Sequence, residues 1–394
     1  MANCVAVVNA GSSSIKFALF ENGAELQQLF SGQIEQIGVA PRLIVNDAAG
    51  ENVIDDELNP KDIDHRAGAS IVLQTAIGLL GGKPIVGVGH RVVHGGKHFT
   101  SPVVVNEDVL AAMAGLCPLA PLHQPHNLVA IEAIRVAAPH IEQVACFDTA
   151  FHQRQPAVAQ AFALPRELSD SGIRRYGFHG LSYDFVSARL RKEAPNDAGK
   201  RIIMAHLGNG ASLCAMFEGR SIATTMGFTA LDGLMMGTRC GSIDPGVLIY
   251  LMDQSGMGAR ELEQLLYKKS GLLGVSGISS DMRILRASDS PTAREAIDLF
   301  VYRIIREIGS LAAALGGLDG LVFTGGIGAR DLKTRSEVIA GCSWLGAEID
   351  QTANTEGRTR ISSDSSRIPI WVLPTDEEQV IARSTAALIG SHAN

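Results

Sequence analysis

The chain reads Asn9-Ala10-Gly11-Ser12-Ser13-Ser14-Ile15-Lys16 between two apolar runs, Val5–Val8 and Phe17–Phe20. Apolar runs of strand length joined by a Gly/Ser turn predict a buried β-hairpin. The turn is unusual because it carries an amide, three hydroxyls and an ammonium, whereas a bare connection needs only one or two polar residues. Gly11 allows close backbone approach, and the N–H groups of a turn can bind an anion. An ordinary hairpin with a polar tip and a phosphate-binding turn both fit this stretch.

A similar pattern returns in the second half of the chain. Ile202–Ala205 is followed by the turn His206-Leu207-Gly208-Asn209-Gly210-Ala211-Ser212 and then by Leu213–Met216. Two similar hairpins predict a duplicated α/β core with a cleft between the copies. Each turn would then hold one end of a polyphosphate.

Length and composition limit the functions that are possible. At 394 residues the chain exceeds what one core usually covers, so two domains are expected. A net charge of −7 argues against a nucleic-acid or acidic-membrane partner. We expect neither a signal peptide nor a transmembrane span. The six cysteines lack CxxC spacing, so no zinc site or disulfide framework is suggested, which is typical of a cytoplasmic protein.

Charged and imidazole side chains occur in segments where a strand or a rigid loop would present them. In a strand through Pro84–Val93, Arg91 and Val93 share one face and could line a pocket for a small acid; the alternative is a salt-bridged arginine at a sheet edge. His90 and His94 have the spacing of a zinc helix, but the β-branched pair between them and the flanking glycines oppose a helix.

Three further segments carry candidate functional groups. Prolines on both sides of His123 predict a rigid loop presenting Leu122 and His123. We expect the helix that follows to be capped near Asn127. Asp148 ends a predicted buried strand, where α/β proteins place active groups, although it could also cap the next element. His179 lies between glycines and is either a titratable functional group or a buried histidine satisfied by the backbone.

The C-terminal half contains three loops suited to chemistry. The segment 225–246 is too long and too apolar for a linker and carries Arg239 and Asp244, which indicates a functional loop. Gly320–Gly328 predicts a strand ending in a glycine-rich turn before a helix at Leu332–Ala340; this suits a nucleotide but lacks the third glycine of a dinucleotide fingerprint. The acids of Pro374–Glu378 are favoured by a helix dipole or could bind Mg²⁺.

Taken together, nine segments resemble the acetate kinase family, in order and over nearly the whole chain: Asn9–Lys16, Gly89–Lys97, Pro121–Pro125, Phe147–His152, Tyr176–Gly180, His206–Ser212, Gly237–Pro245, Thr324–Gly328 and Pro374–Glu378. The resemblance implies a duplicated ribonuclease H-like (actin-like ATPase) α/β fold with a central nucleotide cleft. It also implies reversible phosphoryl transfer between ATP and acetate, with Mg²⁺ or Mn²⁺, in a homodimer. The expected domains are 1–150 joined by about 375–394, and 151–374 with the nucleotide site and the dimer interface.

The resemblance also implies roles for individual residues. Arg91 and Arg239 would bracket acetate and the phosphoryl group, His179 would donate to the phosphoryl group, His123 would help to set the pocket, and Asp148 would orient the acetate side. The implied acyl pocket is lined by Arg91, Val93, Leu122, Phe178 and Ala230. The implied Mg²⁺ ligands are Asn9 and Glu377. The implied nucleotide and phosphate contacts are Asn9, Ser12, Ser14, Lys16, His206, Leu207, Gly208, Asn209, Gly210, Asp281, Met282, Arg283, Gly325, Gly326, Ile327 and Gly328.

Two departures from the family pattern affect specificity. The usual Thr-Pro-Leu-Glu-Gly reads Thr229-Ala230-Leu231-Asp232-Gly233, and the missing proline ring could admit propionate. One methylene is worth only about 1–3 kcal/mol of discrimination. The usual Gly-Ile-Gly-Glu-Asn continues here with Ala329 and Arg330, so the preferred nucleotide base stays open. The nearest alternative is therefore a propionate or butyrate kinase. A sugar kinase would give no reason for two pocket arginines.

Overall fold

The structure is a computed structural model that describes residues 3–23 and 25–392, with side chains described as far as 390. It contains two compact units. Unit 1 comprises the described residues up to Phe151 together with those from Asp376 onward, and unit 2 is His152–Thr375. The predicted segments 1–150 and 375–394 include residues 1, 2, 24, 393 and 394, which lie outside the described residues. In the part of the chain that is described, no helix is long and apolar enough to cross a membrane.

Strands and helices occur in runs along the described chain, with five strands before α1 and five helices between β11 and β12. The strands are β1 (Cys4–Ala10), β2 (Ile15–Glu21), β3 (Gln27–Glu35), β4 (Arg42–Asp47), β5 (Asn52–Glu57), β6 (Ile85–Val92), β7 (Val103–Val104), β8 (Glu142–Phe147), β9 (Ile202–Leu207), β10 (Ala211–Phe217), β11 (Arg220–Thr224), β12 (Gly320–Thr324) and β13 (Ile370–Val372). The helices are α1 (His65–Leu79), α2 (Glu107–Ala114), α3 (Gln124–Ala137), α4 (Ala157–Gln160), α5 (Arg166–Asp170), α6 (Gly180–Glu193), α7 (Pro245–Ser255), α8 (Ala259–Lys268), α9 (Gly271–Ser276), α10 (Met282–Arg286), α11 (Pro291–Leu315), α12 (Gly325–Arg330), α13 (Leu332–Gly341), α14 (Gln351–Thr355) and α15 (Glu377–His392).

Each unit is built on one mixed sheet, and the two sheets share a strand order. In unit 1 the order is β5-β4-β3-β2-β1-β6-β8-β7, and in unit 2 it is β11-β10-β9-β12-β13. In both sheets an antiparallel hairpin, β1–β2 or β9–β10, is followed in space by a strand that runs parallel to its first member. The duplicated α/β core expected from the two hairpins is therefore present.

The hairpin β1–β2 forms the centre of unit 1. Its register pairs Asn9 with Lys16 and Ala10 with Ile15, which leaves a four-residue turn. The strand β1 is buried on both faces, as its continuous apolar run predicts. Apolar side chains of α1 and α3 cover one face.

The helix α15 packs on β6 of unit 1. Gly87 and Gly89 lie under it, because a Cβ atom at Gly87 would overlap Ile389 and one at Gly89 would overlap Thr385. Glycines in a central strand allow such close approach of a helix. The helix begins at Glu377 and thereby brings its acidic first turn to unit 1.

The core of unit 2 is organised by the 25-residue helix α11, which packs on β10 and on α9 and α13. Phe300, Ile304 and Ile308 recur at helical spacing and are fully buried. Pro291 starts the helix and Gly316, at φ +70°, ends it.

Two local predictions were wrong. The helix α3 begins at Gln124 rather than near Asn127, because Pro125 lies in the first turn, where a missing N–H costs nothing. Asn127 instead joins two strand ends, accepting from the N–H of Val93 and donating to the carbonyl of Ala10. The glycine-rich turn after β12 is the short helix α12, entered through Gly325 at φ +76°.

Candidate active site

Arg91 lies near the end of β6, and Asp148 directly follows the neighbouring parallel strand β8 of unit 1. Nε of Arg91 donates to Oδ1 of Asp148 over 2.9 Å, and Nη2 donates to Oδ2 over 2.7 Å. The Asp148 side chain is only 2% exposed, and that of Arg91 is 21% exposed. Since β6 lies between β1 and β8, Arg91 is not at a sheet edge. The strand also excludes the zinc helix considered for His90 and His94.

In this geometry Asp148 orients the side chain of Arg91. A bidentate fork fixes the plane of the guanidinium, and Nη1 of Arg91 lies 3.5 Å from the carboxylate of Glu377. Although burial disfavours its charge, the carboxylates of Asp148 and Glu377 keep the pKa of Arg91 above its ordinary value. A permanent cation thus lies at the strand ends with donor capacity left on Nη1.

The first turn of α15 concentrates negative charge beside this cation. Burial, and then the charge of Glu377, raise the pKa of the Glu378 carboxyl, while Lys16 acts in the opposite direction. Asp376 accepts from the backbone N–H of Gln379 and so caps the helix. Within residues 3–23 and 25–392, no group of three or more His, Cys, Asp or Glu side chains is placed to hold a metal ion.

The remaining predicted residues of unit 1 lie on β1, on its turn and on nearby loops. Ser12 and Lys16 are exposed, whereas Asn9 and Ser14 are half-buried. The turn is closed by a 2.8 Å bond from the N–H of Gly11 to the carbonyl of Ser14. The half-buried loop residues are Val93 just after β6, and Leu122 and His123 just before α3.

A second polar cluster lies in unit 2 around His179, at the start of α6. His179 has a left-handed backbone, at φ +59°, which is uncommon for a residue other than glycine. Its Nδ1 lies 2.8 Å from Oγ of Ser212, and its ring stacks on that of His206 with 4.3 Å between centroids. Nδ1 of His206 in turn lies 2.8 Å from Oγ of Ser182.

Gly210 lies where His179 and Arg239 converge. A Cβ atom added to Gly210 would lie 3.2 Å from Nε2 of His179 and 3.9 Å from Nη1 of Arg239. Nη1 of Arg239 also donates to the carbonyl of Ala230 over 2.9 Å, which fixes its position. The glycine therefore leaves room beside two nitrogen groups that could bind an anion.

Asn209 is positioned by the loop that leads to Arg239. The N–H of Gly237 donates to the carbonyl of Asn209 over 2.9 Å, and a Cβ atom at Gly237 would overlap Oδ1 of Asn209. Phe178 is buried, and its carbonyl lies 2.9 Å from Nε2 of His152.

A cavity of about 600 Å³ opens beside Asn209 in unit 2. Seven of the predicted nucleotide residues line it: Gly208, Asn209, Asp281, Met282, Arg283, Gly326 and Ile327. The lining does not include the other predicted residues of unit 2: His206, Leu207, Gly210, Gly325 and Gly328. Ser280, Arg286, Arg330 and Asp331 also line it and were missed in the sequence analysis as contacts.

Ion pairs shape the wall of this cavity. Asp281 caps α10 and pairs with Arg283, whose hydrogen bonds lower the pKa of the carboxyl. Arg286 lies one helical turn further on and bonds Asp331, Thr334 and Glu337. Arg286 follows the predicted residue Arg283 by three positions, which places both on one face of a helix. This spacing was the sequence signal that could have identified Arg286 as a residue of the cavity wall.

A buried arginine supports the glycine-rich helix α12. Arg335 is 1% exposed; its Nη1 donates to the carbonyl of Gly328 over 2.9 Å, and its Nε donates to Oδ1 of Asn354 over 2.8 Å. Burial lowers the pKa of Arg335. No local sequence pattern marks this contact, because Asn354 lies in a different helix.

Known proteins resemble this chain over its whole length. The model of the Acetokinase family matches residues 4–383. Acetate kinase of Rhodopseudomonas palustris is 53% identical over 97% of this chain and 98% of its own, and acetate kinase of Methylocella silvestris is 49% identical over 100% of both. Among solved structures, a propionate kinase from Francisella tularensis has a TM-score of 0.92 at 37% identity, covering 98% of this chain and 99% of its own. Acetate kinase of Porphyromonas gingivalis has a TM-score of 0.89 at 39% identity, covering 98% and 100%.

The matches extend over both units, and the fold class and family expected from the nine segments are confirmed. The chain belongs to the acetokinase family.

Proposed function

We propose that this chain is an acetate kinase that catalyses the reversible, Mg²⁺-dependent transfer of a phosphoryl group between ATP and acetate, giving ADP and acetyl phosphate. The observation that carries the proposal is the convergence of His179 Nε2 and Arg239 Nη1 beside Gly210. Phosphoryl transfer requires little covalent chemistry from the protein, so that donors fixed around the equatorial oxygens are what a catalyst must provide.

In unit 2, Arg239 and His179 would bind the phosphoryl group in flight. Arg239 carries a permanent charge and is held by the carbonyl of Ala230, so it needs little reorganisation. The adjoining cavity beside Asn209 has the size and the convergent polar groups of a small-molecule site, and we assign it to the nucleotide.

In unit 1, Arg91 would bind a carboxylate or phosphate oxygen through Nη1, with Asp148 as its positioning partner. Acetate is already ionised at neutral pH, so no general base is required. A positioning role for Asp148 agrees with a carboxylate whose two oxygens both accept from the guanidinium.

The donor chemistry of unit 1 fits a magnesium ion that arrives with the nucleotide. Mg²⁺ is usually held by one or two carboxylates together with phosphate oxygens and water, so a cage of three protein acids is not needed. Glu377 would supply a carboxylate and Asn9 an amide oxygen. Burial, and after it the negative charge of Glu377, raises the pKa of the Glu378 carboxyl, and a bound cation would offset that charge. When bound, Mg²⁺ or Mn²⁺ neutralises charge on the phosphates.

The test is the coupled formation of ATP from acetyl phosphate and Mg-ADP by the purified protein and by the variant Arg91→Ala. We expect wild-type activity, and a loss of about 10²–10³-fold in the variant, the effect of removing one fixed donor to a transition-state oxyanion. Arg42→Ala is the matched control, since Arg42 makes a bidentate pair with Asp55 at an exposed position of the same unit. Absence of activity with acetyl, propionyl and butyryl phosphate would reject the proposal.

Propionate is the second candidate acyl substrate. The propionate kinase from Francisella tularensis is similar in structure, and Ala230 replaces the usual proline of the family segment. Comparison of kcat/KM for acetyl and propionyl phosphate decides between the two. Ala230→Pro should shift the ratio toward acetyl phosphate by about 10-fold or more if residue 230 lines the acyl pocket.

We also propose that the protein forms a homodimer through α7. This helix buries none of its residues within the chain, and Ile249, Tyr250 and Met252 are exposed although they are apolar. Light scattering after gel filtration should give a dimer for the wild type and a monomer for Ile249→Glu with Tyr250→Glu. Val158→Glu, an exposed apolar position on α4, is the control that should stay dimeric. A monomeric wild type would reject this assignment.

A further inference from the structure

A chain of hydroxyl groups runs behind His179. Oγ of Ser212 lies 2.8 Å from Nδ1 of His179 and 2.6 Å from the hydroxyl of Tyr183. Ser212 and Tyr183 are fully buried, so water does not replace these bonds. The other ring nitrogen of His179, Nε2, faces the space beside Gly210. The side chain thus has one nitrogen in a buried network and one at the proposed phosphoryl position.

The direction of the hydrogen bonds follows from the donors available. The oxygen of Tyr183 accepts from the backbone N–H of His206, and burial holds the pKa of Tyr183 well above its ordinary value, so that its hydroxyl keeps its proton. With its oxygen engaged in this way, the Tyr183 hydroxyl can donate to Ser212. Ser212 has one proton, and its Oγ lies within hydrogen-bond distance of both Tyr183 and His179. When Tyr183 donates to Ser212, the proton of Ser212 is left for Nδ1 of His179; the reverse order would turn the proton of Ser212 to Tyr183 and would require a proton on Nδ1.

We propose that Tyr183 and Ser212 are positioning residues that hold neutral His179 as the tautomer protonated on Nε2. The order of donation is Tyr183 to Ser212, Ser212 to Nδ1 of His179, and Nε2–H of His179 to a phosphoryl oxygen. No proton is transferred along this chain. Tyr183, Ser212 and His179 each donate one hydrogen bond and accept one. The last step rests on the proposed function, whereas the tautomer of the free protein does not.

The left-handed backbone conformation of His179 is consistent with this positioning of its imidazole. A residue at φ +59° is strained unless its surroundings hold it, and such strain is concentrated at functional positions. The stacked ring of His206 and the bond to Ser212 together fix the plane of the imidazole. An imidazole in the other tautomer would present a lone pair to an anion and repel it.

The first experiment measures the tautomer directly. In protein labelled with ¹⁵N-histidine, two-bond ¹H–¹⁵N correlation spectra distinguish a protonated from an unprotonated ring nitrogen; His179→Gln identifies the signals of His179 by their loss. At about pH 8, where an ordinary histidine is neutral, we expect protonated Nε2 and unprotonated Nδ1 in the free wild-type protein. Protonation on Nδ1 would overturn the inference, whether or not the enzyme is active.

The second experiment connects the tautomer to catalysis. Ser212→Ala should lower kcat about 10- to 100-fold with small changes in KM, since histidine-orienting partners have effects of this size, and should give a mixture of tautomers in the same spectra. Ser212→Thr keeps the hydroxyl and should recover most of the loss. The matched control is Ser221→Ala, because Ser221 lies 2.8 Å from Nδ1 of His152 and is equally buried.

The two sets of results separate the inference from the function. An active wild type with unchanged kcat in Ser212→Ala would overturn the positioning role and leave the kinase assignment standing. An equal loss of kcat in Ser221→Ala and Ser212→Ala, without a change of tautomer, would also overturn it. An inactive wild type with the expected spectra would reject the proposed function and leave the tautomer assignment standing.

Discussion

The hairpins β1–β2 and β9–β10 have similar sequences and equivalent places in sheets of the same strand order, but their turns differ in surroundings. The turn of β1–β2 presents Ser12 to solvent, as the adjoining start of β2 presents Lys16, and it is held through its backbone carbonyls: Ser14 accepts from Gly11, Ser13 accepts from Ile37, and the carbonyl of Gly11 lies 2.8 Å from Nε2 of His65. In the turn of β9–β10 the neighbours reach the residues proposed to bind the ligand: Gly237 lies behind Asn209, and His179 and Arg239 lie beside Gly210.

Under the proposed function, one turn motif would make two kinds of phosphate contact. Exposed hydroxyls and an exposed lysine can change conformation to meet a ligand, but each contributes little to the free energy of binding. Donors whose positions are fixed by neighbouring backbone can stabilise a transition state at no further cost in reorganisation. Substitution of Gly210 in the second turn should therefore affect kcat, and substitutions at the first turn should affect KM.

The largest effect is expected from Gly210→Ala. Its Cβ atom would occupy the space between His179 and Arg239, and we expect kcat to fall about 10²–10³-fold with little change in stability. Steady-state kinetics and thermal melting check this outcome. The matched control is Gly11→Ala in the first turn, where the new Cβ would make an ordinary contact with Ser14 at 3.4 Å. If both variants lose activity equally, the contrast between the turns is wrong.

A smaller effect is expected from Gly237→Ala. The added methyl group would displace the side chain of Asn209, at an overpacking cost of about 1–3 kcal/mol in the free energy of unfolding. We expect a lower Tm and a KM for ADP raised about 10-fold or more. Gly258→Ala, where a Cβ would meet only the end of the Glu261 side chain, should change neither quantity. Normal nucleotide affinity in Gly237→Ala would show that Asn209 needs no support.

A still smaller effect is expected from Lys16→Ala, at the start of β2 beside the first turn. An exposed ammonium contributes about 1 kcal/mol or less to an ion pair, so KM for ADP should rise no more than about fivefold while kcat stays near the wild-type value. The effect should shrink as ionic strength is raised, because salt screens exposed charges. Titration of the activity with potassium chloride tests this. A loss of kcat that salt does not change would contradict the contrast.

The smallest effect is expected from restoring the family residues as Ala329→Glu with Arg330→Asn. Arg330 is exposed on the wall of the cavity that Asn209 also lines, so we expect the ratio of kcat/KM for ATP and GTP to change only about two- to threefold with kcat preserved. The matched substitution Lys333→Asn, on the next helix and outside that lining, should leave the ratio unchanged. An unchanged ratio in the double variant would exclude these positions from base selection.

Much of the fold could be predicted because its signals are local. The apolar runs around Asn9 and Asn209 predict the hairpins, and the helical spacing of Phe300, Ile304 and Ile308 is a local signal of the same kind for the long helix α11. Local rules failed where a proline or a glycine had two readings. Pro125 could end a loop or begin a helix, and the glycines after Thr324 could form a turn or a helix; long-range packing decides between them.

The candidate site was predictable as a set of residues but not as contacts. Motifs indicated Arg91, Asp148, His179 and Arg239. Nothing in the sequence shows that Asp148 accepts hydrogen bonds from Arg91 or that the carbonyl of Ala230 accepts one from Arg239. Arg286 and Asp331 were missed because they pair with each other although they lie 45 residues apart in the chain. Their ion pair depends on how α10 and α13 pack, which single-residue patterns do not encode.

The packing of α15 on β6 has a consequence for biosynthesis. Unit 2 is encoded between the two segments of unit 1, so a ribosome makes all of His152–Thr375 before it makes the helix that covers Gly87 and Gly89. Domains generally fold as units during synthesis, and unit 1 cannot cover β6 with α15 until translation of the chain is nearly finished. Glu377, whose carboxylate lies 3.5 Å from Nη1 of Arg91, is synthesised in that last step. A nascent chain therefore cannot form the contact between Arg91 and Glu377 early. A chain whose translation stops before residue 377 lacks this contact.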